Sequence, residues 1–221
     1  MTDRTVFIVS GGTLDETFTY RFLEKEHRAQ DVIIAAEGGV SFCLRFGIRP
    51  DLAVGDFDSA GKAVLEEVRM AGIPVNLFPS EKDETDTGIA IQTALSYDPS
   101  EIVLFGATGT RLDHVTANIA IAARLAEDPK TSKIRLRMID PHNELSLHTE
   151  PFTIPKTDWH YCSFFSWTDT VTGLTLEGMK YPLQDYTLRR SDSIGTSNEI
   201  VREEARITFR DGILLCILSC D

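Results

Sequence analysis

Positive charge is scarce in this chain: 22 Lys and Arg stand against 34 Asp and Glu, a net charge of −12 over 221 residues. Binding to a nucleic-acid backbone draws on dense Lys and Arg, so that class of partner is excluded. An anionic small-molecule substrate needs a metal or a local basic patch instead. Cysteine is sparse too. Cys43, Cys162, Cys216 and Cys220 form no CxxC pair and lie too far apart for a zinc site, so they read as reduced, mostly core thiols. No apolar run approaches the ~20 residues of a membrane span, and Met1-Thr2-Asp3-Arg4 lacks the layout of a signal peptide. The expectation is a cytoplasmic protein. Internal repeats, low-complexity tracts and long linkers are missing as well.

What is present is ordinary globular material, 42% hydrophobic and 25% charged, long enough for one large or two modest domains. Short apolar runs alternate with helically spaced segments. Val6–Val9, Val32–Ala36, Leu52–Val54, Val75–Phe78, Ile102–Phe105 and Leu136–Ile139 read as buried strands. Helices are expected from Thr13 through Leu23, over Val40 to Phe46, from Ala63 to Ala71, over Ile89 to Leu95 and over Ala117 to Leu125. This rhythm predicts an α/β domain over residues 1–142, a mostly parallel sheet with helices on both faces. From Glu144 the rhythm changes to short alternating segments: 161–165, 174–176, 205–209 and 213–217, the last two separated by the turn Arg210-Asp211-Gly212. Residues 143–221 are expected to form a smaller antiparallel β-sandwich domain.

Chemistry-bearing residues gather where strands end. Leu52-Ala53-Val54-Gly55 runs into Asp56-Phe57-Asp58-Ser59, and ligands in open α/β sheets collect at that end. Side chains alternate along an extended backbone, so Asp56 and Asp58 would share a direction while Phe57 turns into the core. Converging carboxylates call for a proton or a cation, commonly Mg²⁺ where phosphates are involved. Helix-capping acids in a loop are the alternative. Ser10-Gly11-Gly12 is either a simple turn or a loop that lets phosphate approach the backbone. The acids of Lys82-Asp83-Glu84-Thr85-Asp86 can be a helix cap or a site. After the strand at 102–105, Gly106–His114 brings together a glycine-rich turn, Arg111, Asp113 and His114. There Arg111 and backbone N–H groups can reach phosphate and Asp113 a metal or a hydroxyl, while His114 reads first as a structural hydrogen-bonder.

Placed in order, these segments resemble the thiamine pyrophosphokinase family. The resemblance is carried by Ala36-Glu37-Gly38-Gly39, Pro50-Asp51 with Gly55–Ser59, Lys82–Asp86, Gly109–His114, Val171-Thr172-Gly173-Leu174 and Gly195-Thr196-Ser197-Asn198-Glu199. It implies a catalytic, ATP-binding N-terminal domain, a thiamine-binding C-terminal domain and a homodimer with active sites between subunits. It also implies transfer of pyrophosphate from ATP to thiamine. Carried over by motif, Asp56, Asp58 and Asp86 would hold Mg²⁺ and, with Asp113, form the catalytic set. Lys82, Thr85, Arg111, Asp113 and His114 would bind ATP or its phosphates, and Ser197 and Asn198 would line the thiamine pocket. An aspartate of the cluster, or else His114, would take the alcohol's proton. Two positions depart from the family pattern: Glu37 stands where Asp is usual, and Gly88 where Glu is frequent. The Asp-x-Asp pattern also resembles the nucleophile motif of haloacid-dehalogenase-type phosphatases, although there it normally ends the first strand. A non-catalytic nucleotide sensor is a further alternative.

Overall fold

The computed structural model describes residues 3–57, 61–78 and 84–221. Contacts divide the chain into two units, Met1–Ile121 with Ile134–Pro141, and Ala122–Lys133 with His142–Asp221. Through residue 141, β1 (Thr5–Val9), α1 (Glu16–Glu26), β2 (Val32–Ala36), α2 (Glu37–Arg45), β3 (Leu52–Gly55), α3 (Gly61–Met70), β4 (Val75–Leu77), α4 (Asp86–Leu95), β5 (Glu101–Phe105), α5 (Leu112–Glu127) and β6 (Arg135–Ile139) follow one another, all in the first unit except the part of α5 from Ala122 on. The strands lie in the order β4-β3-β2-β1-β5-β6, and each neighbouring pair is parallel.

That order dictates where helices and ligand go. The chain steps outward from β1 to β4, then returns to lay β5 on the other side of β1. Right-handed crossovers therefore put α1, α2 and α3 on one face and α4 and α5 on the other. A sheet covered on both faces needs strands that are apolar on both, and β2, Val-Ile-Ile-Ala-Ala, is buried throughout. Phe7, Val9, Ile33, Ala35, Val103 and Phe105 pack with Leu23, Val40, Phe42 and Val68 on the α1–α3 side. The reversal of strand order falls between β1 and β5, so the crevice at their carboxyl ends is the expected ligand site.

Some boundaries differ from the sequence reading. The Glu37-Gly38-Gly39 segment is the first turn of α2 and not a loop before it. Phe57 is buried at 4% exposure, as alternation predicted, but its φ is +57°. The backbone has left the extended form there, so alternation does not fix the relative directions of Asp56 and Asp58, and Asp58 itself lies outside the described residues.

The second unit is a β-sandwich. β7 (Asn143–His148), β8 (Phe152–Pro155), β9 (Tyr161–Ser166), β10 (Thr170–Glu177), β11 (Leu183–Arg189), β12 (Glu204–Thr208) and β13 (Leu214–Ser219) pair antiparallel as β7-β13-β9 and as β11-β10-β12-β8. Phe164, Leu214 and Cys216 from the first set pack with Val171, Leu174, Leu188 and Ile207 from the second. Arg210-Asp211-Gly212 does not close a hairpin, because β12 and β13 belong to different sets. Gly212, at φ +102°, instead lets the chain cross from one layer to the other. Cys43, Cys162 and Cys216 are buried, Cys220 is partly exposed, and none is bridged; burial pushes the Cys43 thiol up to about 12. Among the described residues no helix is long and apolar enough to cross a membrane.

Side-chain carboxylates finish the hydrogen bonding that the parallel sheet leaves open at its amino ends. Asp31, 8% exposed, accepts from the Thr5 N–H and the Arg28 N–H, both at 2.9 Å. Asp51 accepts from the Ile33 N–H at 2.8 Å. Removing such an acceptor strands part-buried donors. Asp31→Ala is expected to cost about 2 kcal/mol, or about 4–8 °C in melting temperature for a chain of this size. Calorimetry of the variant checks this, and a melt within 1 °C of the parent would show that water replaces the carboxylate.

Candidate active site

A cavity of about 700 Å³ opens at the β1/β5 reversal, walled by the carboxyl ends of β1, β2 and β5 and by the first turns of α2, α4 and α5. It exists because backbone can approach backbone there. A Cβ on Gly12 would fall on the carbonyl oxygen of Gly106, and one on Gly38 would fall on the Cα of Gly11. The Ser10 N–H donates to the Phe105 carbonyl at 3.0 Å, which ties the two strand ends together. Of the alternatives open for Ser10-Gly11-Gly12, the loop lines the cavity.

The three helix starts present different groups. Thr85, not an acid, caps α4: its hydroxyl accepts from the Gly88 N–H at 3.1 Å. That leaves Asp86, in the first helical turn, on the cavity wall, where the positive end of the helix favours a carboxylate. Thr85 lines the same wall. Next to them Thr87 shares a buried hydrogen bond with Ser10, 2.9 Å between hydroxyl oxygens. At α5, Arg111 and His114 reach the cavity. Asp113 is not part of its lining. It is held by Arg111 at 2.5 Å and accepts from the His114 N–H at 3.0 Å. The guanidinium beside it brings the Asp113 carboxyl down to about 2 and raises Arg111 in turn. Both side chains are exposed, so the pair is a tether at the mouth and not a buried charge. Asn118, one turn further along α5 and 5% exposed, donates to the Ala107 carbonyl at 3.0 Å and fixes the loop after β5.

Glu37 is 6% exposed, in the first turn of α2, and lines the cavity. The Cβ position of Gly55 lies 2.9 Å from its Cβ, so β3 and α2 meet with no room for a side chain at 55. At Gly88 the space a side chain would take is filled by the Glu84 carboxylate. Asp56 follows β3, half-buried, and α4 packs against that strand. Asp58 and Lys82, the other residues expected to serve metal and phosphate, lie outside the described residues. Among the described residues no group of three or more His, Cys, Asp or Glu could hold a metal.

In the second unit Ser197 is exposed, with φ +54°, and its N–H donates to the Ser163 hydroxyl at 2.9 Å. Asn198 is 3% exposed. Its Oδ1 accepts from the N–H groups of Tyr181 and Glu199, each at 2.9 Å, and its Nδ2 donates to the Tyr181 carbonyl at 2.8 Å. An amide has two donors and two acceptor sites, and these bonds use both acceptor sites and one N–H. The side chain clamps the 197–199 turn to residue 181, and a Lys180–Glu199 ion pair at 2.6 Å reinforces the clamp.

Sequence reasoning weighed Ser10 only as part of a glycine turn, and passed over its hydroxyl together with Thr87 and Asn118. No pattern in the chain marks a hydroxyl pair whose members are 77 residues apart.

Comparison with known proteins bears on the whole chain. Residues 23–136 match the family model described as thiamin pyrophosphokinase, catalytic domain, and residues 151–214 match thiamin pyrophosphokinase, vitamin B1 binding domain. A thiamine pyrophosphokinase of Bacillus subtilis is 32% identical over 220 residues, 99% of this chain and 100% of that protein. Among solved structures, the thiamine pyrophosphokinase of Bacillus subtilis superposes with a TM-score of 0.86 at 31% identity, covering 98% of this chain and 99% of that one. The Geobacillus thermodenitrificans protein gives 0.83 at 31% identity, covering 98% of each chain. Both units are thus covered, at an identity that reflects common descent, and the chain belongs to the thiamine pyrophosphokinase family.

Proposed function

We propose that this chain transfers pyrophosphate from ATP to the hydroxyl of thiamine, giving thiamine diphosphate and AMP. The observation that carries the reading is the full-length match to thiamine pyrophosphokinases. The cavity at the sheet's switch point, with Asp86 and Arg111 on its wall, supports it. In this reading residues 1–142 are the catalytic, ATP-binding domain and residues 143–221 the thiamine-binding domain. In this reading the chain works in the cytoplasm, where ATP is at hand.

Asp56 and Asp86 offer hard oxygen donors, and Mg²⁺ is commonly held by one or two carboxylates together with waters and substrate phosphates, so these residues fit that ion. Asp58 joins them by motif. When bound, the ion neutralises charge on the phosphates. Arg111 holds positive charge at the cavity wall, and Asp113 keeps the guanidinium from swinging away. The uncapped start of α2 and the glycine turns let backbone N–H groups face phosphate. Lys82, Thr85 and His114 complete the phosphate-binding set. Such transfer asks the protein for positioning and charge neutralisation more than for covalent chemistry. The thiamine hydroxyl attacks the β-phosphorus, AMP leaves, and a carboxylate of the acidic set takes the hydroxyl proton. Ser197 and the remaining Asn198 N–H serve the thiamine pocket.

An assay of AMP release tests the reaction against its rivals. Release should require thiamine; a phosphatase would hydrolyse without it, and a nucleotide sensor would release nothing. In the same assay Asp56→Asn and Asp86→Asn should each abolish Mg²⁺-dependent turnover with little change in melting temperature. Near-parental turnover in either variant removes that residue from the metal-binding set.

For Asn198→Ala, which removes a ligand hydrogen bond of about 1.5 kcal/mol and also the clamp on residue 181, the thiamine KM is expected to rise by at least about tenfold, with the ATP KM almost unchanged. The opposite split would move the 197–199 turn to the nucleotide.

The protein is further proposed to be a homodimer. Unit two exposes Tyr181, Ile194 and Val201 at 57%, 54% and 52%, and a β domain this small buries a limited share of its surface alone. Sedimentation should give twice the 24.6 kDa of the chain; a fully active monomer at assay concentration would overturn this.

A further inference from the structure

The buried hydroxyl pair on the cavity floor has one proton more than it uses. Ser10 and Thr87 are 6% and 9% exposed, and their oxygens lie 2.9 Å apart. Two hydroxyls carry two O–H donors, and the bond between them consumes one. The Ser10 N–H is already spent on the Phe105 carbonyl. Both residues line the cavity, so the second O–H has the cavity as its outlet.

What surrounds the pair selects its ligand. Ala36, at the N-cap of α2, makes no side-chain capping bond, so the first-turn N–H groups of that helix have no side-chain acceptor at the cap. Gly11, the residue after Ser10, lies against that turn: a Cβ on it would be 3.1 Å from the Gly38 nitrogen. The Glu37 carboxylate of the same turn is an acceptor and offers nothing to an anion. The donors at this corner are thus neutral O–H and N–H groups, converging next to the glycine turn where backbone can be approached closely. A phosphoryl oxygen, rich in lone pairs and without a proton of its own at neutral pH, matches them; an aminopyrimidine or purine edge would need acceptors as well.

Resting on the pyrophosphate-transfer reading, we propose that the Ser10–Thr87 pair is a positioning element that donates one O–H hydrogen bond to a phosphoryl oxygen of the nucleotide. Because each hydroxyl can be donor or acceptor toward the other, loss of one leaves the second with its O–H available, and the two substitutions should not be additive.

The test uses the full-length protein with Ser10→Ala, Thr87→Val and the double variant, and titrates Mg²⁺–tripolyphosphate and adenosine separately by calorimetry beside the steady-state assay. In the double variant the tripolyphosphate Kd and the ATP KM should rise about tenfold, with the adenosine Kd and the thiamine KM within twofold of the parent. Each single variant should lose less than the double, and Thr87→Ser should behave as the parent. An unchanged tripolyphosphate Kd in the double variant overturns the proposal. So does a rise confined to adenosine, or a parallel rise in every constant with a lowered melting temperature, which marks a merely structural pair. If that double variant does not fold, Ser10→Ala combined with Thr87→Ala takes its place, and an unchanged tripolyphosphate Kd there overturns the proposal equally. Tripolyphosphate binding needs no turnover, so failure here is separable from failure of the transfer reaction, which the thiamine dependence of AMP release in the parent reads by itself.

Discussion

At the end of β1 the chain passes so near the turn after β5 that a single methyl group on Gly12 would occupy the place of the Gly106 carbonyl oxygen. The whole α/β unit depends on that permission. The loops after neighbouring parallel strands leave toward opposite faces where the order reverses, and the gap between them becomes a binding cavity only if three loops can fold back over it without side chains in the way. Once the backbones are in contact, the helix starts of α2, α4 and α5 point their first turns at one volume, and each can deliver a different group to it. The geometry is set by absent side chains, and the chemistry is added by the few that remain.

The acidic excess of the chain does two kinds of work that composition cannot separate. Asp15 caps α1 through the Phe18 N–H, Asp31 and Asp51 complete the amino ends of β1 and β2, and Asp192 accepts from the Arg189 N–H in the sandwich. These carboxylates stabilise turns and strand ends by accepting backbone hydrogen bonds. Asp86 sits at a helix start as well, yet there the capping bond is made by the neighbouring Thr85. Whether an acid at a helix start is used for capping depends on which neighbour has already taken the N–H groups, and that is a matter of local geometry rather than residue type.

This is also where reading the sequence succeeds and stops. The strands of the first unit were legible because a sheet covered on both faces demands continuous apolar runs, and the helices because their spacing and caps follow from the same burial. The change to antiparallel structure near residue 143 was legible from the change of period. The destination of the Arg210–Gly212 turn was not, since a turn within one layer and a crossing between layers use the same residue types. Arg111 and Asp113, two positions apart, could be paired on paper; Ser10 and Thr87 could not, because only the strand order brings them together. Asn198 was legible as a polar loop residue, but its bonds to residue 181 depend on the sandwich being assembled.

Phe57 shows how tightly such a position is held. Its ring belongs to the α1–α3 core while its backbone sits at φ +57°, a region that favours residues without a Cβ. Glycine would relieve the backbone and leave a hole in the core; a branched aliphatic would fill the core and worsen the backbone. Between these two replacements, an improvement on one count is a loss on the other. The residue between two candidate catalytic aspartates thus answers to two demands of folding, an aromatic-sized space in the core and a left-handed backbone, that call for different side chains.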